Sequence, residues 1–275
     1  MNFKNTNIEE SGQVIVREVI ESTYSQLLIP PKMADRNPQI DSPDSDQKYI
    51  GLFSSGTTGL PKAIWNSYTN LVSNARYTAE AFGVKPHHRL LMMAAPWHVA
   101  GLSWAIMAEE LGCEYQFITT KKGEGNKWLK SVQDFSPDFL MTVPAVLRAL
   151  YGNDWFVTNV VFGGYSLEEG ELEMLEHHCE FTIQGYGQTE AGGLIAAHKR
   201  RSTEPADDID YLCCGHPIKG VTLRSDGSLE KPAPIYIQSE TAFTHEEYNS
   251  GDRGFIDQKG KVYILGRADK IVGQK

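Results

Sequence analysis

The sequence is poor in cysteine, and the spacing of its cysteines is unlike that of disulfide-rich or zinc-binding proteins. Its 275 residues contain four cysteines, Cys113, Cys179, Cys213 and Cys214, and no C-x-x-C pair. Neighbouring side chains such as Cys213 and Cys214 cannot easily point at one ion. This spacing predicts free thiols in or near a core and argues against a disulfide framework or a thiolate metal site.

The sequence also lacks an excess of positive charge and a long apolar run. It has 26 Lys and Arg residues against 35 Asp and Glu, a net charge of −9. Because a nucleic-acid backbone requires a basic surface, we expect no nucleic-acid partner. No stretch approaches the roughly 20 apolar residues of a membrane span, and residues 1–10 lack the apolar core of a signal peptide. We therefore expect no membrane partner and a cytoplasmic protein.

The composition that is present is typical of a globular protein, with 41% hydrophobic and 22% charged residues. Apolar residues at near-helical spacing over 10–28 predict a helix. The residues after it, up to 48, are rich in Pro and Asp and predict a linker or extended arm. A first domain boundary is therefore expected after residue 47.

A predicted buried strand over 49–53 leads directly into a loop rich in Ser, Thr and Gly. The loop contains Ser54, Ser55, Gly56, Thr57, Thr58, Gly59, Leu60, Pro61 and Lys62. Its glycines let backbone N–H groups approach a ligand, its hydroxyls add donors and its lysine adds a positive charge, so the loop suits a polyphosphate. It is not the mononucleotide P-loop, because Pro61 stands where that motif has its second Gly. A Ser/Gly-rich surface turn is the alternative interpretation.

Strand and helix patterns then alternate as far as residue 183. Helices are predicted from Ser67 or Thr69 to about Phe82, over 101–111, 126–135 and 167–178, and from Pro144. Strands are predicted over 89–95, 114–119, 139–143, 157–162 and 180–183. This alternation predicts an α/β fold, a parallel sheet with helices on both faces, whose ligands lie beyond the carboxyl ends of the strands.

Beyond residue 190 the helical periodicity ends and short strand patterns with Gly-rich turns follow. Strands are predicted over 193–198, 220–224, 235–239, 254–257 and 261–265. This pattern predicts a small β-rich subdomain, with the form of a distorted barrel. The expected domain limits are 1–47 for the helix and arm, 48–190 for the α/β subdomain, 191–265 for the β-rich subdomain and 266–275 for a hinge.

A second candidate site directly follows the last predicted parallel strand. It consists of Gly185, Tyr186, Gly187, Gln188, Thr189 and Glu190. The aromatic ring between two glycines can lie flat against a planar base, and Thr189 and Glu190 offer oxygen ligands for a hydrated Mg²⁺. A structural corner between strand and loop is the alternative for this stretch taken alone.

Taken together, the two stretches resemble the phosphate loop and the Tyr-Gly-x-Thr-Glu motif of the adenylate-forming superfamily. That superfamily includes acyl-CoA synthetases, aryl-acid ligases, luciferases and peptide-synthetase adenylation domains. Residues 250–254 (SGDRG) resemble its Thr-Gly-Asp motif, and residues 266–271 (GRADKI) resemble its hinge motif. The resemblance implies that Asp252 and Arg267 bind the ribose of ATP. It also implies that residues 54–59 and Lys62 surround the phosphates, with Lys62, Thr189 and Glu190 catalytic and Glu190 acting through Mg²⁺.

The resemblance also implies a carboxylic-acid pocket lined by His98, Gly101, Gly164 and Gly187. Residues Gly163, Gly164 and Tyr165 match a glycine-rich turn beside the adenine and acyl pockets, and Gly185, Tyr186 and Gly187 face the nucleotide. A core histidine is the alternative for His98. Two departures are Ala63, where a Gly is usual, and Tyr165, where a small residue is usual.

The implied reaction is ATP-dependent activation of a carboxylic acid as an acyl-adenylate, followed by transfer to coenzyme A. The stretch 97–102 contains no acidic residue that could pair with an amino acid, which favours an aryl or acyl acid of the o-succinylbenzoate type. The alternative is a non-catalytic nucleotide- or acyl-binding relative without a lid domain. This alternative arises because the chain is shorter than the family at both ends and lacks the lid lysine.

The short N-terminal segment leads to an expectation about assembly. In the family a longer segment covers much of one side of the sheet, whereas here only the predicted helix and arm are available. An uncovered apolar face larger than a monomer usually shows would favour a two-fold homodimer with the 10–28 helix at the contact. The alternative is that this helix folds back on its own sheet.

Overall fold

The computed structural model describes residues 4–6, 12–31, 33, 43, 46–54, 62–118 and 123–268. The helices are α1 Gly12–Glu21, α2 Tyr68–Phe82, α3 Val99–Leu111, α4 Gly125–Phe135, α5 Pro144–Leu150 and α6 Glu171–Glu176. The strands are β1 Lys4–Thr6, β2 Gln26–Leu28, β3 Tyr49–Ser54, β4 Lys62–Ser67, β5 Arg89–Met92, β6 Glu114–Phe117, β7 Phe139–Thr142, β8 Val157–Gly163, β9 Cys179–Gln188, β10 Gly193–Arg201, β11 Cys213–Pro217, β12 Val221–Arg224, β13 Ala233–Ser239, β14 Tyr248–Ile256 and β15 Val262–Arg267. No helix among these residues is long and apolar enough to cross a membrane.

The larger sheet confirms the predicted α/β class. Its eleven strands are ordered β12-β13-β14-β15-β11-β10-β9-β8-β7-β5-β6. Strands β6, β5, β7, β8 and β9 are parallel to their neighbours, and from the β9–β10 pair onward the pairing is antiparallel. The carboxyl ends of the parallel strands therefore lie along one edge.

Both faces of the central strands β5 and β7 are buried, which is why these two strands are nearly continuous apolar runs. Leu90 and Met92 of β5 belong to a core shared with α1, α2 and α3, whereas Leu91 and Met93 belong to a second core shared with α4, α5 and α6. Successive side chains of a strand point to opposite faces, so one run of four apolar residues supplies both cores.

Helix α2 begins and ends where the sequence predicts. The Ser67 side chain caps it by accepting the Asn70 N–H at 3.1 Å, and Gly83 ends it in the left-handed conformation with φ +76°. An N-cap of this kind contributes about 1 kcal/mol. Helix α2 follows directly after β4, so its position depends on the hairpin before it.

The strand before the phosphate-binding loop does not belong to the parallel sheet, contrary to expectation. Strand β3 lies in a separate four-stranded sheet of order β1-β2-β3-β4. It pairs antiparallel with β4, which was not predicted, and parallel with β2. Trp65 of β4 packs over Gly51 of β3, where a Cβ atom would lie 3.0 Å from the indole ring. The local periodicity on which the prediction rests contains no information about such cross-strand packing.

The β-rich half corrects two further expectations. Strands β10 to β15 continue the larger sheet in an open order, so they do not form a separate barrel. The missed strand β11 provides the connection, because it pairs with both β10 and β15. Strand β9 has 10 residues and includes Gly185, Tyr186, Gly187 and Gln188, so the second motif begins inside the strand and not after it. The expected domain limits remain predictions.

The N-terminal segment is part helix and part strand. Helix α1 ends at Glu21, and β2 occupies part of the predicted helix. Lys48 donates to the carbonyls of Val19 and Ile20, which satisfies the end of α1. Val16 and Val19 are fully buried in the core of their own chain. The helix therefore folds back on its own sheet, and this apolar face is not available for the predicted dimer contact.

The prediction for the cysteines is confirmed. All four are free and buried. Burial raises the pKa of the Cys179 thiol to about 11 and that of the Cys214 thiol to about 12, since the thiolate is disfavoured away from water.

Candidate functional site

Three predicted segments meet at the carboxyl edge of the parallel strands. His98 follows β5, residues 163–165 end β8, and residues 188–190 end β9. Strands β8 and β9 are in register with Gly163 opposite Gly185, so the second and third segments are neighbours. Ligands of α/β sheets bind at this edge.

The glycines at this edge are required by packing. A Cβ atom on Gly163 would lie 2.5 Å from the Gly185 carbonyl oxygen, and one on Gly187 would lie 2.5 Å from that of Gly193. Gly101 is buried, and a Cβ atom there would lie 2.3 Å from the Ala95 carbonyl oxygen. These contacts explain each glycine without a ligand, and their predicted contacts with nucleotide or acid stay predictions.

The carboxylate of Asp252 is the centre of a buried hydrogen-bond network. Its Oδ2 atom accepts the Tyr186 hydroxyl at 2.7 Å and the Gln188 side-chain amide at 2.6 Å. Its Oδ1 atom accepts from Arg267 at 3.2 Å. Asp252 is 5% exposed, whereas the Arg267 side chain is 36% exposed. The network joins β9, β14 and β15, and one oxygen of the carboxylate faces the interior while the other faces the partly exposed arginine.

Burial dominates the acidity of this carboxyl group. It raises the pKa of Asp252 above the usual value, because removal from water disfavours the charged form. The Tyr186 hydroxyl, the Arg267 charge and the Gln188 amide oppose that shift by stabilising the ionised form. An ionised carboxylate held in this way is a strong acceptor for ligand hydroxyls.

The Tyr186 ring is buried and does not form an exposed surface for stacking. It is 8% exposed and packs in a core cluster with Ile195, Ala196 and Cys214. Its hydroxyl is held by Asp252, whose negative charge adds to burial in raising the pKa of Tyr186. Stacking of this ring on a base stays a prediction.

The turn that carries Thr189 and Glu190 is held by buried side-chain amides. Asn66 of β4 donates to the Thr189 carbonyl at 3.0 Å. Asn74 of α2 accepts the Leu194 N–H and donates to the Leu194 carbonyl, both at 2.9 Å. The first of these bonds connects the small sheet to the large one, so the hairpin β3–β4, which bears the predicted phosphate-binding loop, is attached to this turn.

Glu190 is suited to hold a cation. Its side chain is half-buried, and its carboxylate has no hydrogen-bond or ion-pair partner within the part of the chain that the structure describes. The Phe243 N–H donates to the Glu190 carbonyl at 2.9 Å and holds the backbone at this point. A carboxylate oxygen without a protein partner is a suitable ligand for Mg²⁺.

The predicted phosphate-binding loop is described only at its two ends. Ser54 ends β3 and Lys62 begins β4, and the two residues are paired across the hairpin. The Lys62 side chain is exposed. The other predicted loop residues, Ser55, Gly56, Thr57, Thr58 and Gly59, lie outside the described residues, as does the hinge beyond Ala268.

His98 lies at the start of α3. It is the N-cap residue of that helix, with no side-chain capping bond, and it is exposed to solvent. Nearby protein atoms nevertheless lower the pKa of its imidazole by desolvation. Tyr165, beside the exposed Gly164, is 75% exposed.

Several residues of this site were missed by sequence reasoning. They are Asn66, Asn74, Thr241 and Tyr248, and the contact of Gln188 with Asp252 was missed as well. Asn74 is a polar residue on the apolar face of α2, which was the one available signal. The Tyr248 hydroxyl is buried without a hydrogen-bond partner among the described residues. Burial and the charges of Glu190 and Asp252 raise the pKa of Tyr248.

Another group of potential ligands lies elsewhere in the sheet. Ligand atoms of His198, Asp210 and Cys213 lie within 4.8 Å of one another. Arg200, 5% exposed, places its Nε atom 3.8 Å from Asp210 Oδ2 and also pairs with Glu176. Because a buried guanidinium already neutralises this carboxylate, we assign the group to an ion-pair network and not to a metal.

The fold and site geometry define an α/β protein with a candidate nucleotide site at the carboxyl edge of its sheet. The family described as AMP-binding enzyme matches residues 4–230, and this chain belongs to that family.

Several of the similar proteins are CoA ligases, and two others are a hybrid PKS-NRPS synthetase and a nonribosomal peptide synthetase. A probable CoA ligase from Humulus lupulus is 24% identical over 261 residues, which cover 82% of this chain and 46% of the relative. A 2-succinylbenzoate–CoA ligase from Enterococcus faecalis is 22% identical over 246 residues, which cover 80% and 50%. The chain thus spans about half the length of these relatives.

A solved structure shares the fold. The o-succinylbenzoate coenzyme A synthetase from Bacillus subtilis, in complex with ATP and magnesium ion, superposes with a TM-score of 0.71 at 17% identity. The superposition covers 98% of this chain and 65% of that one.

Proposed function

We propose that this protein binds MgATP and a carboxylic acid and forms an acyl-adenylate, with coenzyme A as the following acyl acceptor. The observation that carries the proposal is the Asp252 network, in which a buried carboxylate with an exposed arginine partner lies beside the second motif. Membership of the AMP-binding family and the CoA ligases among the relatives support it.

The proposed chemistry has two displacement steps. A carboxylate oxygen of the acid attacks the α-phosphorus of ATP, the bond to the bridging oxygen of the β-phosphate breaks, and pyrophosphate leaves. The sulfur of coenzyme A then attacks the acyl carbon and loses its proton, and AMP leaves. Little covalent work falls to the protein in the first step, so its contribution is positioning and charge stabilisation.

Each predicted residue has a place in this scheme. Asp252 and Arg267 hold the ribose, Tyr186 and the glycines around it hold the adenine, and Lys62 with residues 54–59 holds the phosphates. Thr189 and Glu190 would hold Mg²⁺, which would neutralise the charge of the phosphates. His98 lines the acid pocket with Gly101, Gly164 and Gly187, and Gly163 and Tyr165 lie beside the adenine.

We propose an aryl or acyl acid related to o-succinylbenzoate as the substrate class. The names of the relatives support this choice, since two of the CoA ligases are 2-succinylbenzoate–CoA ligases from Enterococcus faecalis and Bacillus licheniformis. The absence of an acidic residue over 97–102 supports it too, because an amino-acid substrate would need a partner for its ammonium group. With a net charge of −9 we propose a cytoplasmic enzyme without a nucleic-acid or membrane partner.

The test measures ATP binding by calorimetry and acid-dependent exchange of labelled pyrophosphate into ATP. We expect ATP binding, and exchange with at least one aryl or acyl acid of a panel that includes o-succinylbenzoate. Lys62→Ala and Asp252→Ala should weaken ATP binding at unchanged secondary structure. A chain that binds ATP and catalyses no exchange is the non-catalytic relative, and a chain that does not bind ATP contradicts the proposal altogether.

A further inference from the structure

We infer that Gln188 is a positioning residue for nucleotide recognition, because it orients the Asp252 carboxylate for the ribose. This inference rests on the proposed function, since it needs Asp252 to bind the sugar. Gln188 is the variable position of the second motif and has no role in the resemblance on which that motif was identified.

The geometry of the amide carries the inference. The Gln188 Nε2 atom donates to Asp252 Oδ2 at 2.6 Å and to the Ser250 carbonyl at 3.0 Å, so both of its N–H groups are used on strand β14. Gln188 is 9% exposed and Asp252 is 5% exposed. A hydrogen bond between buried groups, one of them charged, is among the stronger ones in a protein.

The two oxygens of Asp252 have different partners, which fixes the orientation of the carboxylate. Among the described residues, Oδ2 receives two interior donors, Gln188 and Tyr186, whereas Oδ1 receives only Arg267. A carboxylate oxygen has two lone-pair sites, so the interior oxygen is filled and the outer one retains capacity. We therefore assign the outer oxygen, Oδ1, to the ribose hydroxyls, while Gln188 and Tyr186 prevent the carboxylate from rotating.

The backbone of Asp252 is held independently of Gln188. The Asp252 N–H donates to the Ser250 hydroxyl at 3.0 Å, and that hydroxyl donates to the Ile235 carbonyl at 2.8 Å. Strand β14 also pairs with β13 and β15 on its two sides. Removing the amide should therefore release the carboxylate and leave the strand in place.

The experiment compares the affinity for ATP with that for 2′,3′-dideoxy-ATP, which lacks both ribose hydroxyls. The wild-type protein should bind ATP about tenfold more tightly or better, the value of a hydrogen bond to a charged group. Gln188→Met keeps the shape and removes both donors, so ATP affinity should fall about tenfold at nearly unchanged affinity for the dideoxy analogue. Tyr186→Phe removes the second interior donor and should also lower the affinity for ATP relative to that for 2′,3′-dideoxy-ATP.

Gln184→Met is the matched control. Gln184 is a buried glutamine on the same strand, and its side-chain amide donates to the Cys214 sulfur at 3.7 Å and not to Asp252. This variant should keep the full preference for ATP. Thermal unfolding of each variant identifies any that fails to fold, and if Gln188→Met fails, Gln188→Leu, which also lacks both donors, carries the test.

The outcomes separate the two proposals. If the wild-type protein prefers ATP and a folded Gln188→Met variant keeps that preference, the inference is wrong and the proposed function stands. An equal loss of the preference for ATP in Gln184→Met also overturns the inference, because any buried glutamine of strand β9 would then have the same effect. If the wild-type protein does not bind ATP, or binds both nucleotides equally, the ribose role of Asp252 in the proposed function is wrong.

Discussion

At the scale of single residues, the candidate site is made of polar groups whose burial sets their chemistry. Asp252 is buried with three donors, and its raised pKa shows that these donors only partly offset desolvation. The pKa of His98 is lowered and the pKa values of the four cysteines are raised, so each shift favours the neutral side chain. Two predictions follow from these environments.

The first prediction concerns pH. Because the proposed ribose binding requires ionised Asp252, nucleotide affinity should fall by about tenfold per pH unit below the raised pKa of this group. The fall should begin at a higher pH than for an ordinary aspartate of pKa about 3.9. The contribution of Asp252 to the free energy of unfolding has the opposite pH dependence. Because its pKa is higher in the folded than in the unfolded protein, folding favours the protonated carboxyl group. This stabilising contribution is therefore present below the pKa of the unfolded state and is lost as pH rises through the pKa of the folded state.

The measurement is nucleotide affinity and chemical denaturation of the wild type and of Asp252→Asn across acidic pH. The difference between the two proteins isolates this one titration from that of other carboxyl groups. Equal pH dependence of binding in both proteins would contradict the assignment.

The second prediction concerns the thiols. With the pKa of Cys179 about 11 and that of Cys214 about 12, and with the pKa of the other two cysteines also raised by burial, no thiolate forms at neutral pH. The folded protein should not react with a disulfide reagent such as DTNB at pH 7.5, and all four thiols should react in denaturant. Rapid modification of one thiol in the folded state would show that its buried environment opens easily.

At the scale of elements, buried amides connect the hairpin β3–β4, helix α2 and strand β10 around the Thr189–Glu190 turn. Asn74 is fully buried and satisfies both the N–H and the carbonyl of Leu194, with a further bond to the Thr241 hydroxyl at 3.2 Å. A Cβ atom on the adjacent Gly193 would lie 2.3 Å from Asn74 Oδ1, so the fit at this point is close.

Replacement of Asn74 by Ala should therefore destabilise the protein by about 3 kcal/mol, because two buried backbone groups lose their partners. The half-buried Asn70 on the same helix is the matched control: its amide bonds only the Ala242 carbonyl, at 3.3 Å, and Asn70→Ala should cost about 1 kcal/mol or less. Urea denaturation measures both values. Similar losses in the two variants would mean that the bonds of Asn74 contribute little beyond helix propensity.

At the scale of the whole molecule, the N-terminal segment covers the chain's own core. Val16, Val19 and Leu28 are fully buried together with Ile50 and Leu52 of β3. The exposed large hydrophobic residues of the described chain are separate in sequence: Tyr24, Phe156, Tyr165, Met174, Leu229 and Phe243. A homodimer stays a prediction, and the face of helix α1 that contains Val16 and Val19 is buried within the chain itself.

Deletion of residues 1–28 should uncover this core and cause self-association, since exposed apolar patches of this kind bind one another. Light scattering at micromolar concentration compares the intact and shortened chains. We expect the shortened chain to have the higher mass, and a monomer after the deletion would show that the segment is dispensable. The mass of the intact chain tests the homodimer itself.

Local patterns in the sequence were sufficient for much of this protein. The buried run at β5, the Ser67 cap with the Gly83 stop of α2, and the strand and helix alternation each depend on neighbouring residues, so they can be read without a fold. The motif residues Thr189, Glu190, Asp252 and Arg267 are also identified by local order. Their roles stay proposals until binding is measured.

Only the tertiary structure decided how these pieces combine. The placement of β3 in a small sheet with β4, and the continuation of the large sheet through β11, depend on pairing between strands distant along the chain. Gln188 and Tyr186 lie 64 and 66 residues from Asp252, so no local period relates them to it. Periodicity reports which side of an element is apolar, whereas the partner of a buried polar group is set by which elements fold against each other. For that reason the sequence identifies the carboxylate that we propose for the ribose, and the fold alone identifies the amide and the hydroxyl that hold it.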